Sequence, residues 1–220
     1  DADANDTLSY TLLGQPIPGL SINTDGSWAF DPSATAYQSL ALGQTQSISV
    51  NYAATDNNGA ISQNSFVITL TGTNDAPTAT FSSPQVATEA SQAIAGQLSA
   101  TDIDQGDTLS YSFSGSSPID GLTINADGSW VFNPSHPSYN SLAAGQTQAI
   151  NVDYTVSDSN GLTNIKSFTI NLTGTNDSPI ATFSDAQNAT EGLQSITGQL
   201  TASDADANDT LSYTLLGQPI

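Results

Sequence analysis

No cysteine and no methionine occur among the 220 residues, and a single lysine faces 21 acidic residues, giving a formal charge of -20 at pH 7. The missing cysteines exclude disulfide staples and thiolate metal sites, so whatever supports a lean core must be something else. One cation excludes the clustered lysines and arginines that neutralise nucleic-acid phosphates or grip an anionic membrane surface. Apolar runs are short, none approaching the ~20 residues of a membrane-spanning helix. Asp1–Asp6 bears no likeness to a signal peptide, so any export or anchoring signal is expected outside this stretch. With 37% hydrophobic and 7% aromatic residues, the composition approaches that of disordered chains, and the case for a fold rests on pattern.

The first pattern is repetition. Asp25-Gly26-Ser27-Trp28, Tyr37, Gly43-Gln44-Thr45-Gln46 and Gly72-Thr73-Asn74-Asp75 all recur 102 residues later, at Asp127, Tyr139, Gly145 and Gly174 onward. Residues 1–17 are moreover identical to 204–220, whereas the intervening copy from Asp102 is only similar. Identity at the double period makes two repeats the unit of recent duplication and predicts that the chain is a window on a longer array. The Pro-punctuated segments Gly-Thr-Asn-Asp-Ala-Pro at 72–77 and Gly-Thr-Asn-Asp-Ser-Pro at 174–179 set the boundaries. The expected domains are the later part of a repeat at 1–75, a complete repeat at 76–177 and the opening of another at 178–220.

Within a repeat the apolar residues alternate. Leu20 and Ile22 lead into Asp25-Gly26, a tight-hairpin signature, and Trp28 and Phe30 lead out. Ile48, Val50 and Tyr52 alternate with polar residues, as do Phe66, Ile68 and Leu70, and the second copy repeats both runs. Strands with one wet face, several per ~100 residues, predict an all-β architecture of tandem Ig- or cadherin-like sandwiches in an extended array. Helix is limited to about a turn at Tyr37–Leu40 and Tyr139–Leu142. Trp28 and Trp130 are expected in the core rather than on a sugar-stacking surface, and His136 is expected to be an incidental loop residue.

Fifteen of the 21 acids fall at repeated places. Asp-x-Asp-x-x-Asp occurs at Asp1, Asp3, Asp6, at Asp102, Asp104, Asp107 and at Asp204, Asp206, Asp209. Asp56 with Asn58, and Asp158 with Asn160, stand before the last strand of each repeat. Asn74-Asp75 and Asn176-Asp177 lie in the inter-repeat segments, and Glu89 and Glu191 early in the following repeats. Sandwich loops cluster at two ends, so Asp56, Asp75, Glu89, Asp102, Asp104 and Asp107 are expected to converge on one junction. Carboxylates so gathered repel unless a cation joins them, and Ca2+, with its six to eight hard oxygen ligands, suits carboxylates, Asn amides and carbonyls. Zinc, which favours His and Cys, has one His and no Cys to use.

The strings Gly-Thr-Asn-Asp-Ala-Pro at 72–77, Thr-Asp-Ile-Asp-Gln-Gly-Asp-Thr-Leu at 101–109, Asn-Ala-Asp-Gly-Ser-Trp at 125–130, Leu-Ala-Ala-Gly-Gln-Thr at 142–147 and Ser-Asp-Ser-Asn-Gly at 157–161 resemble the VCBS-type repeats of giant bacterial RTX adhesins, which are similar to cadherin domains. The resemblance implies secreted, calcium-rigidified extender domains on a bacterial surface. Asp102-x-Asp104, Glu89 and Asn74-Asp75 match the cadherin pattern, while Gly72 and Thr73 replace a further linker acid, which implies one or two ions per junction rather than three.

A catalytic site copied at every junction would be unusual, and no Ser/His/Asp set or phosphate loop occurs, so a non-enzyme is expected. The readings open at this point are a structural stalk, a module binding sugar or a cell-surface protein, and a subunit of a strand-complemented extracellular filament. The expected partners are neighbouring repeats of the same chain or neighbouring copies in a fibre, without nucleic acid or membrane insertion.

Overall fold

The computed structural model describes residues 6–217, and nearly all its regular structure is strand. The first repeat supplies β1 (Ser9–Leu13), β2 (Leu20–Ile22), β3 (Trp28–Phe30), β4 (Thr45–Thr55) and β5 (Ile61–Thr71). The second supplies β6 (Thr78–Ala79), β7 (Gln85–Thr88), β8 (Ile94–Gln97), β9 (Ala100–Thr101), β10 (Ser110–Phe113), β11 (Leu122–Ile124), β12 (Ser129–Phe132), β13 (Thr147–Ser157) and β14 (Thr163–Thr173). The pair β15 (Ile180–Ala181) and β16 (Ala202–Ser203) follows.

The chain forms two compact units. One comprises residues through Ala79 with Ala100–Ser110 and Val156–Asn164; the other comprises Thr80–Ser99, Tyr111–Thr155 and the residues from Ile165 onward. Two loops of the second repeat, the Asp102–Asp107 turn and the Asp158–Leu162 turn, therefore belong to the unit that contains the first repeat.

In the first unit β1, β4 and β5 form an antiparallel sheet, and β2 and β3 form the hairpin expected from Asp25-Gly26. The hairpin closes because the Asn23 and Ser27 backbones bond across it, Gly26 adopts φ +84°, and the Asp25 carboxylate accepts the Ser27 N–H and hydroxyl. These bonds hold Asp25 below the usual carboxylate range, the hydroxyl most of all. Ile48, Val50 and Tyr37 form the buried core of this unit, with Phe30 and Phe66 packed against it.

The second unit holds the greater part of a four-stranded sheet, β10-β13-β14-β7, and a three-stranded sheet, β11-β12-β8. Trp130 on β12 meets Phe168 on β14 with ring centroids 5.2 Å apart, Phe168 meets Tyr154 on β13, and the buried Phe132 on β12 meets Tyr139. Apolar residues from both sheets are fully enclosed there, the signature of a sandwich.

The expected helical turns are 3-10 turns displaced toward the N-terminus, at Thr35–Tyr37 and Pro137–Tyr139. His136 is more than incidental, since its Nδ1 accepts the Ser138 N–H and caps the second turn. Each tyrosine then donates its hydroxyl back across the chain, Tyr37 to Pro18 O and Tyr139 to Asp120 O.

Of the two tryptophans expected in the core, Trp130 is there and Trp28 is not. Trp130 is 1% exposed under β8, whereas Trp28 is 52% exposed, because no strand equivalent to β8 lies beside β3 among the described residues.

Candidate metal centre

Each linker is anchored before it reaches the acids. Gly72 N–H donates to Gln44 O and Gly43 N–H to Gly72 O, a pair that Gly174, Gln146 and Gly145 repeat. A Cβ at Gly72 would lie 2.1 Å from Leu40 O, and one at Gly174 would lie 2.2 Å from Leu142 O. Only glycine lets the chain pass there, which explains why Gly-Thr-Asn-Asp recurs intact.

Beyond Gly72 the first cluster assembles inside one unit. Asp102 Oδ1 accepts the Asp104 N–H at 2.9 Å and tightens the turn after β9. The carboxylates of Asp102, Asp104 and Asp107 each bring one oxygen within 4.8 Å of the others. At that separation each ionised pair repels by about 3 kcal/mol at an effective dielectric near 20. Asp104 is buried, and its Oδ2 accepts the Asp75 N–H at 2.7 Å. The Gln105 N–H donates to Ser39 O, which pins the turn to the first repeat.

Asp158 holds the loop that braces this group. Its Oδ1 accepts N–H bonds from Asn160, Gly161 and Leu162, and its Oδ2 accepts Asn74 Nδ2 at 2.8 Å. Burial pushes its pKa up, but these four bonds, that from Asn74 foremost, outweigh it and leave the carboxyl below its ordinary range. Asn160 and Ser159 donate to Asp107, fixing the third acid of the turn.

A second cluster repeats the design in the other unit. Asp204, Asp206 and Asp209 again lie within 4.8 Å of one another, Asp206 Oδ2 accepts the Asp177 N–H at 2.7 Å, and Ala207 N–H donates to Ser141 O. Here an acid from the preceding repeat is also present: Glu89 is buried, and its Oε2 accepts the Thr175 N–H at 3.0 Å.

The groups therefore differ from the sequence expectation. Glu89 belongs with the linker at Thr175–Asp177 rather than with Asp102–Asp107, because its own N–H bonds Thr173 O at the end of β14. Asp56 and Asn58 form the counterpart of the Asp158–Asn160 turn: Asp56 accepts the Asn58 and Ala60 N–H groups, and Asn58 Nδ2 reaches Asp6. The acid that joins the Asp102 turn from the last-strand loop is Asp158, of the same repeat. Asn176 and Asp177 occupy the second linker, Glu191 is exposed, and Asp1 and Asp3 lie outside the described residues. The carbonyls of Ser39 and Ser141 were not among the candidates, although the recurrence of Tyr-x-Ser-Leu at 37–40 and 139–142 marks them.

Three buried oxygens in each cluster have no hydrogen-bond donor: Asn74 Oδ1, Asp102 Oδ2 and Asp104 Oδ1 in the first, and Glu89 Oε1, Asp177 Oδ2 and Asp206 Oδ1 in the second. An ionised carboxylate is acceptor-only, so these atoms need donors or a cation. Asn74 has its amide nitrogen committed to Asp158, which leaves its oxygen free toward the acids. All-oxygen donor sets of this kind fit a hard cation and fit calcium better than magnesium, which keeps more of its water.

Residues 74–174 match the family model of the bacterial cadherin-like domain. The chain is similar in structure to human CDH23 EC21-23, with a TM-score of 0.54 at 16% identity over 91% of this chain and 69% of that one. It is similar also to Drosophila N-cadherin EC1-4, with a TM-score of 0.50 at 14% identity over 81% of this chain and 45% of that one. At such identities the likeness is one of fold, and the chain spans under half of the second structure. A comparison with curated proteins finds no match. The fold is thus a cadherin-like β-sandwich. No helix among the described residues is long and apolar enough to cross a membrane.

Proposed function

We propose that the chain is a calcium-rigidified extender, part of the stalk of a secreted bacterial surface adhesin or extracellular fibre of the VCBS type. The observation that carries this reading is the set of donorless buried oxygens at both linkers. Asn74, Asp75, Asp102, Asp104, Asp107 and Asp158 would hold calcium at the first linker, and Glu89, Asn176, Asp177, Asp204, Asp206 and Asp209 at the second, with one or two ions each. When bound, the ion supplies positive charge that offsets the mutual repulsion of the acids. The chain's own part is to present them: Asp75 and Asp177 hold Asp104 and Asp206 through backbone N–H bonds, and Asn74 holds Asp158.

The repeats 1–75, 76–177 and 178–220 would then act as rigid links joined by short acidic hinges. Their partners would be each other, and their place the bacterial cell surface. Size-exclusion-coupled small-angle scattering in calcium and in chelator tests this, with circular dichroism as the control for folding. Calcium is expected to reduce flexibility and lengthen the particle while the sandwiches stay folded. Equal dimensions and flexibility in both buffers, for a chain that calorimetry shows to bind the ion, would refute the stalk mechanism.

A further inference from the structure

Three polar side chains meet at one turn of the second repeat and have no counterpart in the first. His136, Ser138 and Asp120 stand where the first repeat has Ala34, Ala36 and Pro18. The backbone around them is the same in both repeats. Thr35–Tyr37 and Pro137–Tyr139 are 3-10 turns, and in each the tyrosine hydroxyl donates to a carbonyl of the preceding loop, Pro18 O or Asp120 O. The first turn forms with no side-chain cap, so the polar trio is not what builds the turn.

A buried residue holds the trio in place. Tyr139 fixes the Asp120 backbone through its hydroxyl at 2.7 Å, takes its own N–H to His136 O at 3.0 Å, and packs its ring edge-on against the imidazole. Ser138 lies between the other two side chains. Its hydroxyl donates to Asp120 Oδ2 at 2.5 Å, and its N–H donates to His136 Nδ1 at 3.3 Å, which leaves Nδ1 without a proton of its own. Nδ1 and Ser138 Oγ are nevertheless 3.1 Å apart. The hydroxyl has one proton, already given to Asp120, so that approach sets two lone pairs against each other beside a carboxylate. One nitrogen and two oxygens thus converge with too few protons to join them.

We propose that His136 Nδ1, Ser138 Oγ and Asp120 Oδ2 form a chelating site for a divalent transition ion of the zinc or copper(II) type, separate from the acidic clusters. Atoms that bind one ion at about 2.0–2.2 Å lie about 3 Å from each other, which is the spacing of Nδ1 and Oγ. The imidazole turns this set away from calcium and toward zinc and copper, and no cysteine or methionine in the chain competes for such an ion. His136 is half-buried while Asp120 and Ser138 are exposed, so an ion can enter and water can complete its shell. On binding, the ion replaces the long Ser138 N–H bond at Nδ1, and the exposed serine turns its N–H and hydroxyl protons to water.

His136 is the only histidine in the chain, so its ring signals are unambiguous. The full chain in excess calcium, at about pH 7.5 where an ordinary imidazole is neutral, is titrated with zinc and followed by long-range proton–nitrogen NMR of the ring. Copper(II) electron paramagnetic resonance is the second measurement. Zinc is expected to move the Nδ1 resonance rather than Nε2, and copper to show coupling to one ring nitrogen. His136→Ala should abolish both responses. Asp120→Asn and Ser138→Ala should each weaken binding at least about tenfold, the loss that even a second-shell partner causes. His136→Ala and Ser138→Ala give the turn the side chains that the first repeat carries there, so both spare the fold. Zinc on Nε2, an Asp120→Asn chain that binds as tightly as the parent, or an imidazole that does not respond to millimolar zinc would each overturn the proposal. The ring is observed directly, so the result is independent of whether calcium occupies the linkers.

Discussion

Asp104 and Asp206 occupy the same place in two clusters, each buried, each giving one oxygen to a linker N–H and keeping the other without a donor. Removing such a carboxylate deletes a direct ligand and also frees the linker N–H it held. Asp104→Ala is therefore expected to abolish calcium binding at the first linker while the second keeps its affinity, and Asp206→Ala to do the reverse. Titration calorimetry measures this as a loss of stoichiometry confined to one class of site, and an unchanged titration would count against the assignment. The spacing of Asp102, Asp104 and Asp107 was legible because three carboxylates within six residues share a single turn. Glu89 was identified as an acid but assigned to the wrong linker. What sends it to Thr175 is the end of β14, some eighty residues away in sequence, and no local pattern records that pairing.

At the scale of elements, alternation located the long strands and Asp-Gly located both hairpins, since each is decided by neighbours in sequence. The two-residue pairs β6 with β9 and β15 with β16 carry no periodicity and escape such reading. The same limit explains Trp28: its apolar character marked it for a core, but enclosure of its counterpart depends on β8, which precedes β12 by some thirty residues. Gly96 tests the importance of that covering strand. Alanine normally gains about 0.5–1 kcal/mol over glycine through backbone entropy. At Gly96 its methyl would meet the enclosed Trp130 ring, so Gly96→Ala is expected to destabilise the second repeat by about 1–3 kcal/mol. Gly198→Ala, with open space around it, is expected to stay within about 0.5 kcal/mol in dilute solution. Urea denaturation of the two variants gives the comparison, and equal effects would mean that the Gly–Trp contact carries no packing constraint.

For the whole molecule the balance is between a modest core and a formal charge of -20, left by 21 acids and one lysine. Self-repulsion on that scale opposes compaction, and it is concentrated where the acids cluster. A cation bound by the folded clusters and hardly at all by the unfolded chain stabilises by RT ln(1+[L]/Kd), about 2.7 kcal/mol per site at a hundredfold excess over Kd. For a chain of this length that corresponds to a rise of about 5–10 °C in the unfolding temperature for each site coupled to the transition. Excess calcium is expected to produce that rise over chelator, and magnesium a smaller one, because its reluctance to shed water suits it poorly to a set of protein oxygens. Asp104→Ala and Asp206→Ala should each remove part of the shift, and the double variant should remove nearly all of it. Sodium chloride at equal ionic strength distinguishes binding from screening, since screening acts on every surface charge alike and would persist in the double variant. An unfolding temperature that responds to salt but not to calcium would make the clusters solvated acids and leave the orphaned oxygens to water.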